Sequence, residues 1–256
     1  LRSGRHVLRR GMSYAAALDA LTAAPAVQAP PTITLTIPEG RSRREAAALV
    51  RRAGLRGDYV AATRRARGFD PRRYGAPRDA TLEGFLFPAT YELPRGARVQ
   101  RLVSAQLRAF EQNIRQVDLS RARRANLTPY DVLIIASMIE REVTLPRERR
   151  LVAAVIYNRL RQGIPLGIDA TLRYERNDWV NPLRQSVLEA DTPFNTRIRP
   201  GLPPSPIGSP GLASIQAAAR PARVNYTYYV VDPCSRGAHA FATTYEEHLA
   251  NVARYD

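Results

Sequence analysis

Leu127-Thr128-Pro129-Tyr130-Asp131-Val132-Leu133-Ile134-Ile135-Ala136-Ser137-Met138-Ile139-Glu140-Arg141-Glu142 is the stretch on which the fold turns. Thr128 stands at the N-cap of a helix, Pro129 at its first position and Asp131 at its third, and all three satisfy or favour the free N–H groups of a first turn. The helix is therefore predicted to begin at Pro129. From Val132 to Ile139 it is apolar nearly all round, which requires burial on most sides. Glu140 is the first carboxylate after that run. On this local pattern alone, the favoured reading is a solvated helix end in which Glu140, Arg141 and Glu142 return to water. The alternative is an acid that loses its hydration, stays protonated near neutral pH and can protonate a leaving oxygen.

Downstream, a break at Pro146 precedes a second helix, Glu148 to Arg161, stopped by Gly163. The remainder reads as strands and loops, rich in Pro and Gly from Pro193 to Pro210. They are followed by a short helix Leu212 to Ala219, strands at Tyr226 to Val231 and Ala238 to Ala242, and a terminal helix from Thr244. Upstream, Val99 to Val117 reads as an amphipathic helix with Leu102, Leu107, Phe110 and Ile114 near one stripe. Earlier still, Ile33, Leu35 and Ile37 alternate with Thr as a strand, Pro38-Glu39-Gly40 turns it, and Ser42 caps a helix. Tyr59 to Ala66 is predicted as a further short helix. A strand at Arg5 to Leu8, a helix after Ser13 and a Pro-rich break from Pro25 to Pro31 complete the first segment. The chain opens at Leu1-Arg2-Ser3-Gly4, inside what reads as a strand, which points to a fragment whose upstream part is absent.

At 256 residues, with 45% hydrophobic and 24% charged, the chain has material for a sizeable core and is not disordered. All 39 residues of the Lys+Arg count are Arg. Residues 1–125 carry 24 of them against 10 acids, and residues 126–256 carry 15 against 13, so the excess charge belongs to the first half. Such a surface attracts anionic polymers without choosing among nucleic acid, lipid and carboxylate-bearing glycan, and a merely solvated Arg-rich face is as good a reading of any one cluster. One cysteine, Cys234, excludes an internal disulfide and a multi-cysteine metal site. No apolar run approaches the ~20 residues of a membrane span, and no signal peptide opens the chain.

Several separated segments carry a resemblance. The run Ile135 to Glu142 resembles the catalytic helix of the endolytic murein transglycosylases, the YceG-like family. With it, in the family's order, stand Glu83-Gly84-Phe85-Leu86-Phe87-Pro88, Val155-Ile156-Tyr157-Asn158-Arg159-Leu160, Pro193-Phe194-Asn195-Thr196, Gly201-Leu202-Pro203-Pro204, Pro206-Ile207 and His239-Ala240-Phe241. This chain departs from the pattern at Ala89, where the family has Asp, and at Ala170, where Pro is usual. The resemblance implies an α+β fold: a small LysM-like β-α N-terminal region over residues 1–80, then a mixed α/β catalytic domain over residues 81–256 with buried helices and short strands. One wall of its open cleft is assigned to Gly201 to Pro210.

The resemblance also implies chemistry. Glu140 matches the catalytic glutamate, which protonates the glycosidic oxygen between N-acetylmuramic acid and N-acetylglucosamine. It then takes the proton of the muramic C6 hydroxyl as that oxygen closes onto C1, leaving a 1,6-anhydro end and limiting nascent strand length. Ordinary glycosidases need two carboxylates about 5 to 9.5 Å apart; one suffices when the nucleophile is the substrate's own hydroxyl. Asn158, Asp169, Tyr174, Asn195 and Thr196 match polar family positions expected to bind sugar. Asn158 can equally cap helix contacts, Asp169 and Asn195 can hold turns, and Tyr174 can be core packing. Glu142, on another helix face, Glu83, beside the Phe87-Pro88 turn, and His239, in a strand, are expected to support the site. His6 and His248 give His239 no metal partners, so neither metal nor cofactor is expected. Implied partners are peptidoglycan glycan strands and cell-wall synthases, with no nucleic acid. The implied location is the outer face of the plasma membrane, reached through one N-terminal helix absent from this chain. Two rival readings are a non-catalytic binding module for wall or anionic polymer, and a hydrolytic muramidase using Glu140 with Asp169 or Glu142 and water.

Overall fold

The computed structural model describes residues 6–22, 31–235 and 237–255, and the chain divides into two units, Leu1–Thr32 and Ile33–Asp256. In the first, α1 (Tyr14–Thr22) starts where Ser13 Oγ accepts the Ala16 N–H at 3.3 Å. The strand expected at Arg5 to Leu8 is not formed: His6 to Leu8 have no regular structure, and Arg5 lies outside the described residues. A lone strand leaves its N–H and C=O groups without a ladder, and His6 is tied instead by its ring Nδ1 to Ala20 O at 2.7 Å. The Pro-rich break falls outside the described residues up to position 30.

The second unit is continuous from Ile33 to Asp256. It opens with β1 (Thr32–Thr36), whose alternation buries Leu35 and, just beyond, Ile37. Ser42 and Glu45 then form a reciprocal capping box at the start of α2 (Arg43–Arg52). α3 (Tyr59–Ala62) stops short of the expected Ala66, because Thr63 turns its hydroxyl back onto Tyr59 O at 2.7 Å while its carbonyl accepts from Leu82 N. β2 (Thr90–Pro94), which the sequence reading leaves unassigned, pairs with β1: Thr36 Oγ1 meets Thr90 Oγ1 at 2.9 Å, and Ile37 N donates to Ala89 O.

α4 (Val99–Ile114) presents its apolar stripe inward and α5 (Ser120–Arg124) is a short basic turn. α6 (Pro129–Glu142) is the predicted buried helix, capped by Thr128 and Asp131 as read, with every residue from Val132 to Ile139 buried. It is enclosed by α7 (Arg149–Gln162), α8 (Asp169–Arg176) and, after α9 (Gln185–Leu188), by α10 (Leu212–Ala219). Gly163 ends α7 at φ 68°, the left-handed conformation its lack of Cβ permits. β3 (Tyr228–Asp232) and β4 (Ala238–Ala242) form an antiparallel pair with Val230 opposite Ala240, and α11 (Tyr245–Tyr255) packs on it. The fold is α+β, mostly helical with two small sheets.

α8 replaces the strands and loops expected after Gly163. Its eight residues are too few to display a helical period, and its start is held by the Thr171 and Thr196 hydroxyls gathered on Ile168, not by an N-cap side chain. Among the described residues no helix is long and apolar enough to cross a membrane.

Candidate active site

Glu140 lies in the last turn of α6 and its side chain is only 7% exposed. The apolar run before it anchors that turn in the core, so the carboxyl cannot swing freely into water. Its Oε2 accepts the Gly211 N–H at 2.9 Å. Gly211 is the N-cap of α10, so the bond comes from the positive end of a helix. Arg149, opening α7, brings Nη2 to 3.6 Å from Oε1, close enough for Coulomb attraction and too far for a hydrogen bond. Among the described residues no hydrogen bond reaches Oε1. One oxygen is thus held by a hydrogen bond while the other faces a cation.

Two glycine-bearing loops press on this carboxyl. Gly40, at φ 76°, lies so close that a Cβ there would stand 3.3 Å from Glu140 Cγ. The loops bind each other through Gly40 N to Ser209 O at 2.8 Å and Ser209 N to Arg41 O at 3.0 Å. Gly208 packs flat on the Gly40 carbonyl, where a Cβ would come within 2.2 Å of the oxygen. The same close packing brings Glu39 over Gly211: a Cβ on Gly211 would lie 1.9 Å from Glu39 Oε1. Glu39 itself is exposed. Partial burial and then the negative charge of Glu140 push its carboxyl above the usual carboxylate range, against the opposing pull of Arg149. The sequence reading passes over Glu39 as part of a turn. Nothing within the Pro38-Glu39-Gly40 turn signals that it meets residues 140 and 211.

Of the expected supporting residues, Glu142 points to a different partner, Tyr229, whose hydroxyl donates to Oε2 at 3.2 Å. Burial first, and then the charge of Asp169, raise the Glu142 carboxyl above its ordinary range. His239 sits in the same neighbourhood with its ring edge-on to Tyr229; its Nδ1 lies 2.8 Å from Glu148 Oε2, and its backbone N–H also donates to the Glu148 carboxylate. Glu83 is 1% exposed. It accepts the Arg43 N–H at 3.1 and 3.2 Å, so it serves the first turn of α2, and it accepts the Tyr174 hydroxyl at 3.1 Å. Burial pushes Glu83 up to about 7, against the lowering effects of Arg43, Tyr174 and Arg44.

Of the residues expected to bind sugar, Asp169, Tyr174, Asn195 and Thr196 gather where α8 meets residues 194–197, whereas Asn158 has its partners elsewhere. Asn158 gives both amide hydrogens to backbone, Val224 O at 2.9 Å and Tyr226 O at 2.8 Å. Asn195 donates to Leu188 O and Ala190 O and accepts from Arg197 N, and Thr196 accepts from Ile168 N at 3.0 Å. Tyr174 joins Glu83 and packs on Phe194. Asp169, at the first residue of α8, is part-exposed and pairs with Arg197 at 2.6 Å. The expected wall, Gly201 to Pro210, contributes through Ser209 and Gly208 as described. Its Ile207 N–H is anchored to the core by Ser137 Oγ at 3.0 Å, and its Pro206 lies on Gly84.

Comparison with known proteins gives this arrangement a context. An endolytic murein transglycosylase of Streptococcus pneumoniae is 32% identical over 183 residues, 68% of this chain and 32% of that relative. Another of that name, from Bacillus subtilis, is 32% identical over 175 residues, 68% of this chain and 48% of its own. These matches thus take in about a third to a half of the curated relatives. A crystal structure of a yceG-like protein of Listeria monocytogenes superposes with a TM-score of 0.74 at 27% identity, covering 87% of this chain and 76% of the other. The YceG-like family model matches residues 1–254, nearly the whole sequence, and to that family this chain belongs.

Proposed function

We propose that this chain carries the activity for which its relatives are named, endolytic cleavage of murein glycan, performed as a lytic transglycosylation with Glu140 as acid and then base. The single observation that supports this best is the carboxyl of Glu140. Gly211 holds one oxygen, the other has no hydrogen bond among the described residues, and Arg149 stands at 3.6 Å. Protonated, Glu140 gives its proton to the glycosidic oxygen as the C1–O4 bond breaks. Ionised, and stabilised by the Gly211 N–H and Arg149, it takes the proton of the muramic C6 hydroxyl while that oxygen bonds to C1. The product is a 1,6-anhydro end, and shorter nascent strands follow.

The proposal extends to the surroundings. Asp169, part-exposed beside Arg197, keeps access to a ligand. Asn195 and Thr196 shape the backbone beside it, Asn158 holds the backbone at Val224 and Tyr226, and Glu83 with Tyr174 steadies α2. The LysM-like reading of the N-terminal region draws support from the order of β1, α2 and α3. Action beside glycan-polymerising synthases at the outer face of the plasma membrane, with an N-terminal helical anchor, is what the resemblance implies for the intact protein.

The test is to incubate the protein and its Glu140→Gln variant with uncrosslinked glycan strands and read the new ends by mass spectrometry. Anhydro ends from the wild type alone are the expected result. Reducing ends would transfer the assignment to a hydrolytic muramidase, and binding without cleavage to a wall-binding module.

A further inference from the structure

We propose that Glu39 is the second carboxylate of this active site, facing the sugar ring at the scissile bond and stabilising the positive charge that develops at C1 while Glu140 moves the proton. The inference rests on the lytic reading above and adds to it a group that the single-glutamate mechanism does not use.

Geometry is the first ground. Glu39 and Glu140 converge on one residue: Gly211 donates its N–H to Glu140 Oε2 at 2.9 Å, and its Cα face is covered by the Glu39 carboxylate, 1.9 Å from where a Cβ would be. A side chain at 211 would have to displace the Glu39 carboxylate from this position. The backbone that carries Glu39 is fixed: Gly40 is bonded to Ser209 and packed on Gly208 and on Glu140 Cγ. The fixed backbone places the root of the Glu39 side chain beside Glu140 and Gly211.

Charge is the second ground. Glu39 is exposed, and among the described residues it makes no ion pair or hydrogen bond, although the chain carries 39 Arg against 23 acids. Instead it is held beside a like charge, and burial together with Glu140 raises its carboxyl while Arg149 opposes the shift. Like charges side by side are unfavourable, so an arrangement that keeps them together without a dedicated cation for Glu39 leaves that carboxylate free for a ligand. Arg149 lies 3.6 Å from Glu140 and its charge also acts on Glu39, which limits the cost of the juxtaposition.

The chemistry matches. Glycosidic cleavage passes through an oxocarbenium-like transition state, with positive charge on C1 and the ring oxygen. As C1–O4 breaks, O4 receives the Glu140 proton and C1 becomes electron-poor beside the Glu39 carboxylate. The C6 oxygen then bonds to C1 and its proton passes to Glu140. Glu39 forms no bond and transfers no proton; its contribution is electrostatic.

The experiment compares wild type, Glu39→Gln and Glu39→Asp on uncrosslinked glycan strands, counting anhydro ends at a range of substrate concentrations and pH values. The expected result is a kcat about 100-fold lower in Glu39→Gln with KM within about 2-fold. Glu39→Asp should recover part of the rate. The wild-type kcat should fall as acid protonates Glu39 through its raised range, and Glu39→Gln should lack that acid-side fall. An unchanged kcat in Glu39→Gln overturns the proposal. So does a loss confined to KM, or a loss that tracks a lowered thermal midpoint with the pH profile intact. A wild type that makes no anhydro ends defeats the lytic reading itself, whereas an active wild type matched by Glu39→Gln defeats only the role of Glu39.

Discussion

Replacing Glu83 by Gln should change how stability depends on pH, and the structure supplies the size of the effect. Glu83 is 1% exposed, and burial lifts its carboxyl from 4.5, the ordinary value, to about 7. The folded protein therefore holds the proton more tightly than the unfolded chain does. This group's contribution to stability is fully present below 4.5 and is lost as pH rises through 7. At 1.36 kcal/mol for each tenfold change in proton affinity, the loss amounts to about 3 kcal/mol. A glutamine keeps an oxygen for the Arg43 N–H and the Tyr174 hydroxyl, and it does not titrate. Its own cost is one imperfectly paired amide, about 1–3 kcal/mol, independent of pH. Urea unfolding of wild type and Glu83→Gln through this window gives the difference in free energy at each pH, from which the other titrating groups cancel. Wild type should lose stability relative to the variant as pH rises. Parallel curves would refute the reasoning, because they would mean that the folded state does not raise the proton affinity of Glu83. A difference of opposite slope would mean that Arg43 and Tyr174 outweigh burial.

Two further outcomes test the scaffold behind the site. Asn195→Ala removes three side-chain bonds to backbone and leaves the carbonyls of Leu188 and Ala190 without that donor. It should cost about 2–3 kcal/mol, seen as a lower denaturation midpoint with KM for glycan strands unchanged; a raised KM at unchanged stability would restore a sugar-binding role. Thr128→Ala breaks the capping box of α6 and should cost about 1 kcal/mol, again read by denaturation. An unchanged midpoint there would show that core packing alone sets the start of the helix.

The parts legible in the sequence are those with a local cause. Thr128-Pro129-Tyr130-Asp131 states its own cap, the apolar run after it demands burial, and Gly163 marks its helix end by the conformation only glycine adopts cheaply. Ser42 and Glu45 are equally readable. α8 was not, since its start depends on Thr196, far along the chain. β2 was not, because a five-residue alternation ending in Pro carries little signal until β1 lies beside it. The same holds at the site. Glu83 and Tyr174 each stood out separately, but 91 residues separate them and no periodicity announces their bond. Glu39 lay in a turn whose importance comes wholly from the loop packed over it.

The hydrogen bond from Gly211 to Glu140 joins residues 71 positions apart. During synthesis the helix bearing Glu140 is complete long before residue 211 has left the ribosome. A chain that ends before residue 211 lacks the donor that fixes Oε2. The contact that fixes the Glu140 carboxyl thus forms only after most of the chain has been made.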